Sequence, residues 1–319
     1  MRLEPGARLA GEALKLLRRG SIASMTLEEI KQARRRGIPR TRVTEPFIGR
    51  LAAAVDLEDR VLATTAGYLA VRSYRPRRAS AESLPLVVHF HGGGWVLGDL
   101  DMGDWICSHV AADVGALVVS VDYCLAPEHP FPAAVEECLA AVAALARNGE
   151  HLGGDPTRIA VMGDSAGGNL AAVVAQQARD AGGPALAAQV LLYPATDATF
   201  ASPSIDEHAD AIVLTRADME AFVAHYLGDT PPTDARVSPL LAEDLTGLPP
   251  ALIQTAEHDP LRDDGARYAE ALREAGTEVR YTEYLGAPHG YINMPGLTRA
   301  AQQARAEIVA ELRRHLRTH

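Results

Sequence analysis

Apolar and polar positions divide the chain into two regimes. Up to about residue 50 the pattern is helical. Leu9, Leu14, Leu16 and Leu17 lie among charges in an amphipathic stretch that Gly20 stops. Thr26 and Glu29 stand at capping-box spacing before a second helix that ends near Gly37. Arg34, Arg35 and Arg36 close that helix, where solvated cations complement the carbonyl end of the dipole. From about residue 58, short apolar runs alternate with longer amphipathic ones. The short runs read as strands at 61–74 (interrupted by a turn), 84–90, 116–122, 159–162, 188–193, 251–255 and 278–284. The longer runs read as helices at 133–147, 168–181, 263–275 and 299–316. Continuous apolar strands such as Leu86-Val87-Val88 and Leu117-Val118-Val119 suit burial on both faces of a parallel sheet. Strand–helix alternation at this spacing predicts a doubly wound α/β fold. Segment 197–247 breaks the rhythm. It is rich in Asp, Pro and Thr, holds one helix at 217–227 before Gly228, and reads as an insertion over the strand ends.

Composition narrows the partners. At 319 residues the chain can bury a large core, and 47% hydrophobic with 23% charged residues is ordinary for a soluble globular protein. A net charge of −10 argues against a nucleic-acid partner. No apolar run approaches the ~20 residues a membrane span needs, so no stable membrane insertion is expected. Charges interrupt residues 1–20, unlike the apolar centre of a secretory signal. Cys107, Cys124 and Cys138 lack metal-ligand spacing and read as reduced thiols of a cytoplasmic protein. No metal or cofactor motif stands out.

One stretch carries chemistry. Ile159 to Met162 lead into Gly163-Asp164-Ser165-Ala166-Gly167, and a helix-compatible run follows. This is the nucleophile-elbow pattern: strand, sharp turn carrying a serine, then helix. Small neighbours are needed there because strand and helix pass close together. Strand 84–90 is followed by His91-Gly92-Gly93-Gly94-Trp95, whose glycines let backbone N–H groups converge on one point. Gly93 and Gly94, with Ala166 after the serine, are the candidate oxyanion-hole donors. His91 precedes the elbow and so falls outside the Ser, acid, His order of this arrangement. It reads as a brace for the glycine loop. The acid is expected after strand 251–255, where Asp259 precedes Pro260 and Glu257 is the alternative. Asp263 and Asp264 read as first-turn residues of the next helix. The base is expected after strand 278–284, where Pro288-His289-Gly290 places His289. Ser165, Asp259 and His289 are therefore the candidate nucleophile, acid and base of an acyl-transfer site.

Taken together, His91–Trp95, the stretch 122–128 (Asp-Tyr-Cys-Leu-Ala-Pro-Glu), Gly163–Asn169, 259–263 and His289-Gly290 resemble the hormone-sensitive-lipase-like branch of the α/β-hydrolase superfamily, the bacterial family IV esterases. The resemblance covers most of the chain. It implies an α/β-hydrolase catalytic domain at 51–319, with a mostly parallel sheet flanked by helices. It also implies a helical cap made of residues 1–50 and an insertion at about 197–247. The implied activity is serine carboxylesterase: hydrolysis of short- to medium-chain acyl esters, small-molecule substrates, without cofactor or metal. An acyltransferase or amidase using the same triad, or a non-catalytic receptor on the same fold, are the alternatives. The sequence leaves a homodimer open. Two residues depart from the family pattern: Cys124 where Arg is usual, and Tyr291 where Phe is usual.

Overall fold

Leu86, Val88 and Phe90 point to one side of the sheet, and Val87 points to the other. The same alternation repeats along the neighbouring strands, and both sides are covered. In the computed structural model, which describes residues 2–8, 11, 21–37, 39–78 and 83–317, eight strands form one sheet in the order β1-β2-β4-β3-β5-β6-β7-β8. They are β1 (Val55–Thr64), β2 (Gly67–Pro76), β3 (Leu84–Phe90), β4 (Leu117–Val121), β5 (Gly154–Asp164), β6 (Leu186–Leu192), β7 (Ala251–His258) and β8 (Val279–Pro288). The β1–β2 and β2–β4 pairs are antiparallel. From β4 to β8 the pairing is parallel. The stretch 61–74 thus resolves into a hairpin that begins before it and ends after it.

The helices long enough to cover this sheet are α1 (Leu27–Arg36), α2 (Leu100–Val110), α3 (Ala133–Asn148), α4 (Ala166–Asp180), α5 (Arg216–Leu227), α6 (Arg262–Glu274) and α7 (Arg299–His315). Helices α3, α4 and α6 bury Val142, Leu170 and Leu272 against one face, while α2 and α7 bury Ile106 and Ile308 against the other. Each such aliphatic side chain contributes about 1.5–3 kcal/mol by leaving water, which is what commits both faces.

Helix α1 begins with the capping box: Glu29 N donates to Thr26 Oγ1 and Thr26 N donates to Glu29 Oε2. Arg34 is not a solvated charge. Its guanidinium reaches off the helix to donate to Val96 O and Ala126 O and pairs with Glu128 at 2.9 Å. It ties α1 to the loops beside the glycine turn. Helix α2, absent from the sequence reading, is capped by Asp99, which accepts from Met102 N. The amphipathic stretch around Leu14 lies outside the described residues. No described helix is long and apolar enough to cross a membrane.

Candidate active site

Parallel strands deliver their loops to one edge, and ligands in such sheets bind beyond the carboxyl ends. Strand β5 ends at Asp164, and Ser165 follows with φ 56° and ψ −118° before α4 begins at Ala166. A non-glycine residue held in this region stores strain, which here lifts Ser165 clear of both elements. The turn is possible because its neighbours are small. A Cβ on Gly167 would run into the carbonyl oxygens of Phe90 and His91. Strand β7 is followed directly by Asp259, and β8 directly by His289.

These three residues, 124 positions apart at the extremes, meet. His289 Nε2 stands 3.0 Å from Ser165 Oγ, and His289 Nδ1 stands 2.8 Å from Asp259 Oδ2. Asp259 has no exposed surface, and its other oxygen accepts from Leu261 N at 2.9 Å. That second bond fixes the carboxylate plane toward the imidazole. The edge of the Tyr193 ring packs against His289, with centroids 4.7 Å apart, and limits its rotation. Glu257 is engaged elsewhere: Gly286 N donates to its Oε2 at 2.6 Å.

The glycine loop faces the same point. Gly93 has φ 120°, and a Cβ there would strike the Leu97 carbonyl, so the turn requires glycine. His91 Nδ1 donates to Gly92 O at 2.8 Å, the bracing arrangement expected of it. Among the described residues, the N–H groups of Gly93, Gly94 and Ala166 make no hydrogen bond, and all three residues line the cavity above Ser165. The Ala166 amide also opens helix α4, so the positive end of the helix dipole points there.

That cavity encloses about 780 Å³. Its floor is Ser165, His289 and the glycine loop. One wall comes from Thr44, Phe47 and Ile48, and another from Met219, Phe222 and Val223 on α5. The lining is mostly apolar. Asp197, which also lines it, is paired with Arg267 Nη1 at 2.8 Å. Asp264 lies in the first turn of α6, as the sequence suggested, but not in solvent. It is fully buried, with Oδ2 accepting from Thr196 N and Asp197 N and Oδ1 accepting from Ser202 Oγ. Burial pushes its carboxyl up to about 7.

With this geometry in view, residues 87–293 match the alpha/beta hydrolase fold family. The chain belongs to that family. Among alpha/beta hydrolases it is similar to the carboxylesterase NlhH of Mycobacterium tuberculosis, with 47% identity over 268 residues, 81% of this chain and 84% of the relative. The esterase LipI of the same organism is 43% identical over 292 residues, 90% of this chain and 88% of its own. A thermostable esterase from Pseudomonas putida ECU1011 superposes with a TM-score of 0.89 at 34% identity, covering 100% of this chain and 99% of the other.

Sequence reasoning assigned no role to Tyr193 or Arg40. Tyr193 follows the end of β6, which is where strand-end ligand sites arise, and that placement could have flagged it. Arg40 donates through Nε to Asp104 Oδ2 at 3.0 Å and through Nη1 to Gly49 O at 2.8 Å. It closes the loop that carries Thr44, Phe47 and Ile48. No local signal marks it, because its partner lies 64 residues away. At the two departures from the family pattern, the Cys124 amide donates to Glu137 Oε2, and Tyr291 is buried against Tyr193 and Tyr284.

Proposed function

We infer that the chain hydrolyses carboxylic esters of small molecules with short- to medium-chain acyl groups, through an acyl-enzyme on Ser165. The observation that carries this reading is His289, bridging Ser165 and Asp259 at 3.0 and 2.8 Å beneath three uncommitted backbone amides. Ser165 Oγ adds to the ester carbonyl carbon while its proton passes to His289 Nε2. The carbonyl electron pair moves onto oxygen, where the Gly93, Gly94 and Ala166 amides receive the charge. Such donors act most strongly in a site that excludes water, and each is worth about 3–4 kcal/mol. Asp259 holds the Nδ1–H tautomer and stabilises the imidazolium. Collapse of the adduct breaks the ester C–O bond, and the leaving alkoxide takes the proton from His289. Water then repeats the sequence on the acyl-enzyme.

The cap reading follows from the cavity. Parts of segments 1–50 and 197–247 line it and would form its roof, Phe47 and Ile48 on one side and Phe222 and Val223 on the other. An apolar enclosure with few polar groups suits an uncharged acyl chain of limited length.

A fluorophosphonate should label Ser165 covalently, and peptide mapping checks the site. A set of acetyl to dodecanoyl esters should give a kcat/KM optimum below the long-chain members. Labelling on another serine, or a rate that keeps rising with chain length, would overturn the respective half of this reading.

A further inference from the structure

A backbone amide stabilises an oxyanion only if it is aimed, and its aim is that of the whole peptide plane, whose six atoms move together. Glycines have no side chain to fix that aim and the widest choice of backbone angles. In the loop 91–94 the planes are therefore held from outside. The plane joining His91 to Gly92 is gripped at both ends. Tyr123 Oη donates to His91 O at 2.7 Å, and Gly92 N donates to Asp164 Oδ1 at 3.0 Å. The next plane ends in the Gly93 N–H, and its carbonyl, Gly92 O, is held by His91 Nδ1. The Tyr123 ring lies flat on that imidazole, with centroids 4.3 Å apart and planes 14° apart. Tyr123 thus touches both the first plane and the side chain that holds the second.

Asp164 immediately precedes Ser165, so the grip joins the glycine loop to the nucleophile turn. Its other oxygen is shared by Asn293 Nδ2 at 3.3 Å and Tyr193 Oη at 3.4 Å. Asp164 is 3% exposed, and its basic neighbours are imidazoles, with His89 Nε2 at 3.8 Å. Among the described residues no Lys or Arg pairs with it. A carboxyl this deep without a cation costs stability, and burial accordingly drives its pKa up. What offsets the cost is its hold on the backbone: a Cβ on Gly92 would collide with this carboxylate, so the approach is as close as glycine allows.

We propose that Asp164 and Tyr123 are positioning residues that clamp the His91–Gly92 peptide and thereby aim the Gly93 N–H at the reacting carbonyl oxygen. The inference rests on the reading of Ser165 and the glycine loop given above.

The test compares Asp164→Ala, Asp164→Asn, Tyr123→Phe and the double variant Asp164→Ala/Tyr123→Phe with the parent. The readouts are kcat and KM for a butyryl ester and Ki for a trifluoromethyl ketone with the same acyl chain. In the ketone adduct Ser165 Oγ bonds to the ketone carbon, its proton goes to His289, and the carbonyl electron pair becomes an oxyanion. A whole oxyanion donor is worth roughly 10²–10³ in kcat, and misaiming one forfeits part of that. Asp164→Ala should lower kcat about 30- to 300-fold with KM within twofold of the parent. Asp164→Asn, which still offers Gly92 an acceptor oxygen, should recover to within about tenfold. Tyr123→Phe should lose about tenfold. The ketone Ki should rise in step with each loss of kcat. The double variant should lose less than the product of the single losses, because both grips act on one plane.

A Ki that stays put while kcat falls, a rise in KM at constant kcat, or an Asn variant no better than Ala would overturn the proposal. Tyr123→Phe removes one hydroxyl and tests it even if Asp164→Ala does not fold, since kcat and Ki within twofold of the parent would sink it. Fluorophosphonate labelling of the parent is the control. Absence of label at Ser165 would fault the underlying reading, whereas normal labelling with unaffected variants would fault the clamp alone.

Discussion

The floor of the cavity and its roof are held by different means. Ser165, Asp259 and His289 each follow directly on a strand of the sheet interior or its β8 edge, and their positions are set by the β5–β8 hydrogen-bond ladder. The roof hangs largely on individual side chains. Arg40 staples residues 40–49 to Asp104, and Ser21 Oγ and Ile22 N both donate to Asp218 of α5. Tyr226 of α5 lies on the Trp95 indole, with centroids 4.5 Å apart and planes nearly parallel. Moving the floor means opening the sheet, which costs close to the global stability. Moving the roof means breaking a few contacts, which costs much less. Acyl-chain preference is therefore open to change by single substitutions that leave the reaction machinery alone.

The strongest test of this contrast is at the floor. Ser165→Ala should lower kcat by roughly 10⁴–10⁶, because the three groups act as a unit. Its thermal unfolding midpoint should stay within a few degrees of the parent, and steady-state assay with a melting curve checks both. Retained turnover would detach the chemistry from the strand ends altogether.

Next in size is Asp259→Asn. It should cost about 10⁴ in kcat through the wrong imidazole tautomer. Glu257→Gln should cost only a few-fold, since Glu257 holds the Gly286 amide instead. The opposite ranking of the two variants in kcat would move the acid role to Glu257.

At the roof the effect should be smaller and of another kind. The Phe222 ring packs on Gly94, one of the proposed oxyanion donors. Phe222→Ala should raise the octanoyl-to-acetyl ratio of kcat/KM by about tenfold, in the range a few methylenes of pocket contact can supply. An unchanged ratio would place Phe222 outside the acyl path.

A separate effect, on stability and not on turnover, lies at the seam where the insertion leaves the sheet. The folded chain keeps the Asp264 proton to about pH 7, whereas the unfolded chain releases it near the ordinary carboxyl value of about 3.9. Between those limits the folded state binds more protons, so this group makes stability fall as pH rises through the window. Asp264→Asn should flatten that part of the profile, by an amount on the order of a few kcal/mol. Urea unfolding from pH 4.5 to 7.5 measures it. Parallel profiles for parent and variant would assign the titration to another group.

Much of the floor was legible from residue order because its chemistry constrains residue type. A serine between glycines, an acid before proline and a histidine before glycine each follow an apolar run, and the parallel sheet brings such ends together. The roof and seam were less so. Helix α2 escaped notice because Asp104 interrupts its apolar face. That residue is buried by Arg72 and Tyr74 from β2, 30 or more residues earlier. A buried paired carboxylate and an exposed one look the same in a local window. Arg34 misled for the same reason, and the burial of Asp264, correctly placed in its helix's first turn, could not be read either: their partners lie 62 or more residues away. Helix-end charge rules describe solvated ends, and neither residue is solvated.

The 124 residues between Ser165 and His289 also order events in time. During synthesis the serine emerges with its strand and helix long before its proton acceptor exists. Strand β8 must still be made and paired on β7, and α7 must still seal the far face. On the proposed mechanism, a growing chain halted anywhere before residue 289 would hold Ser165 with no imidazole to deprotonate it. Acyl transfer by Ser165 would thus wait on the pairing of β8 with β7, which brings His289 beside it.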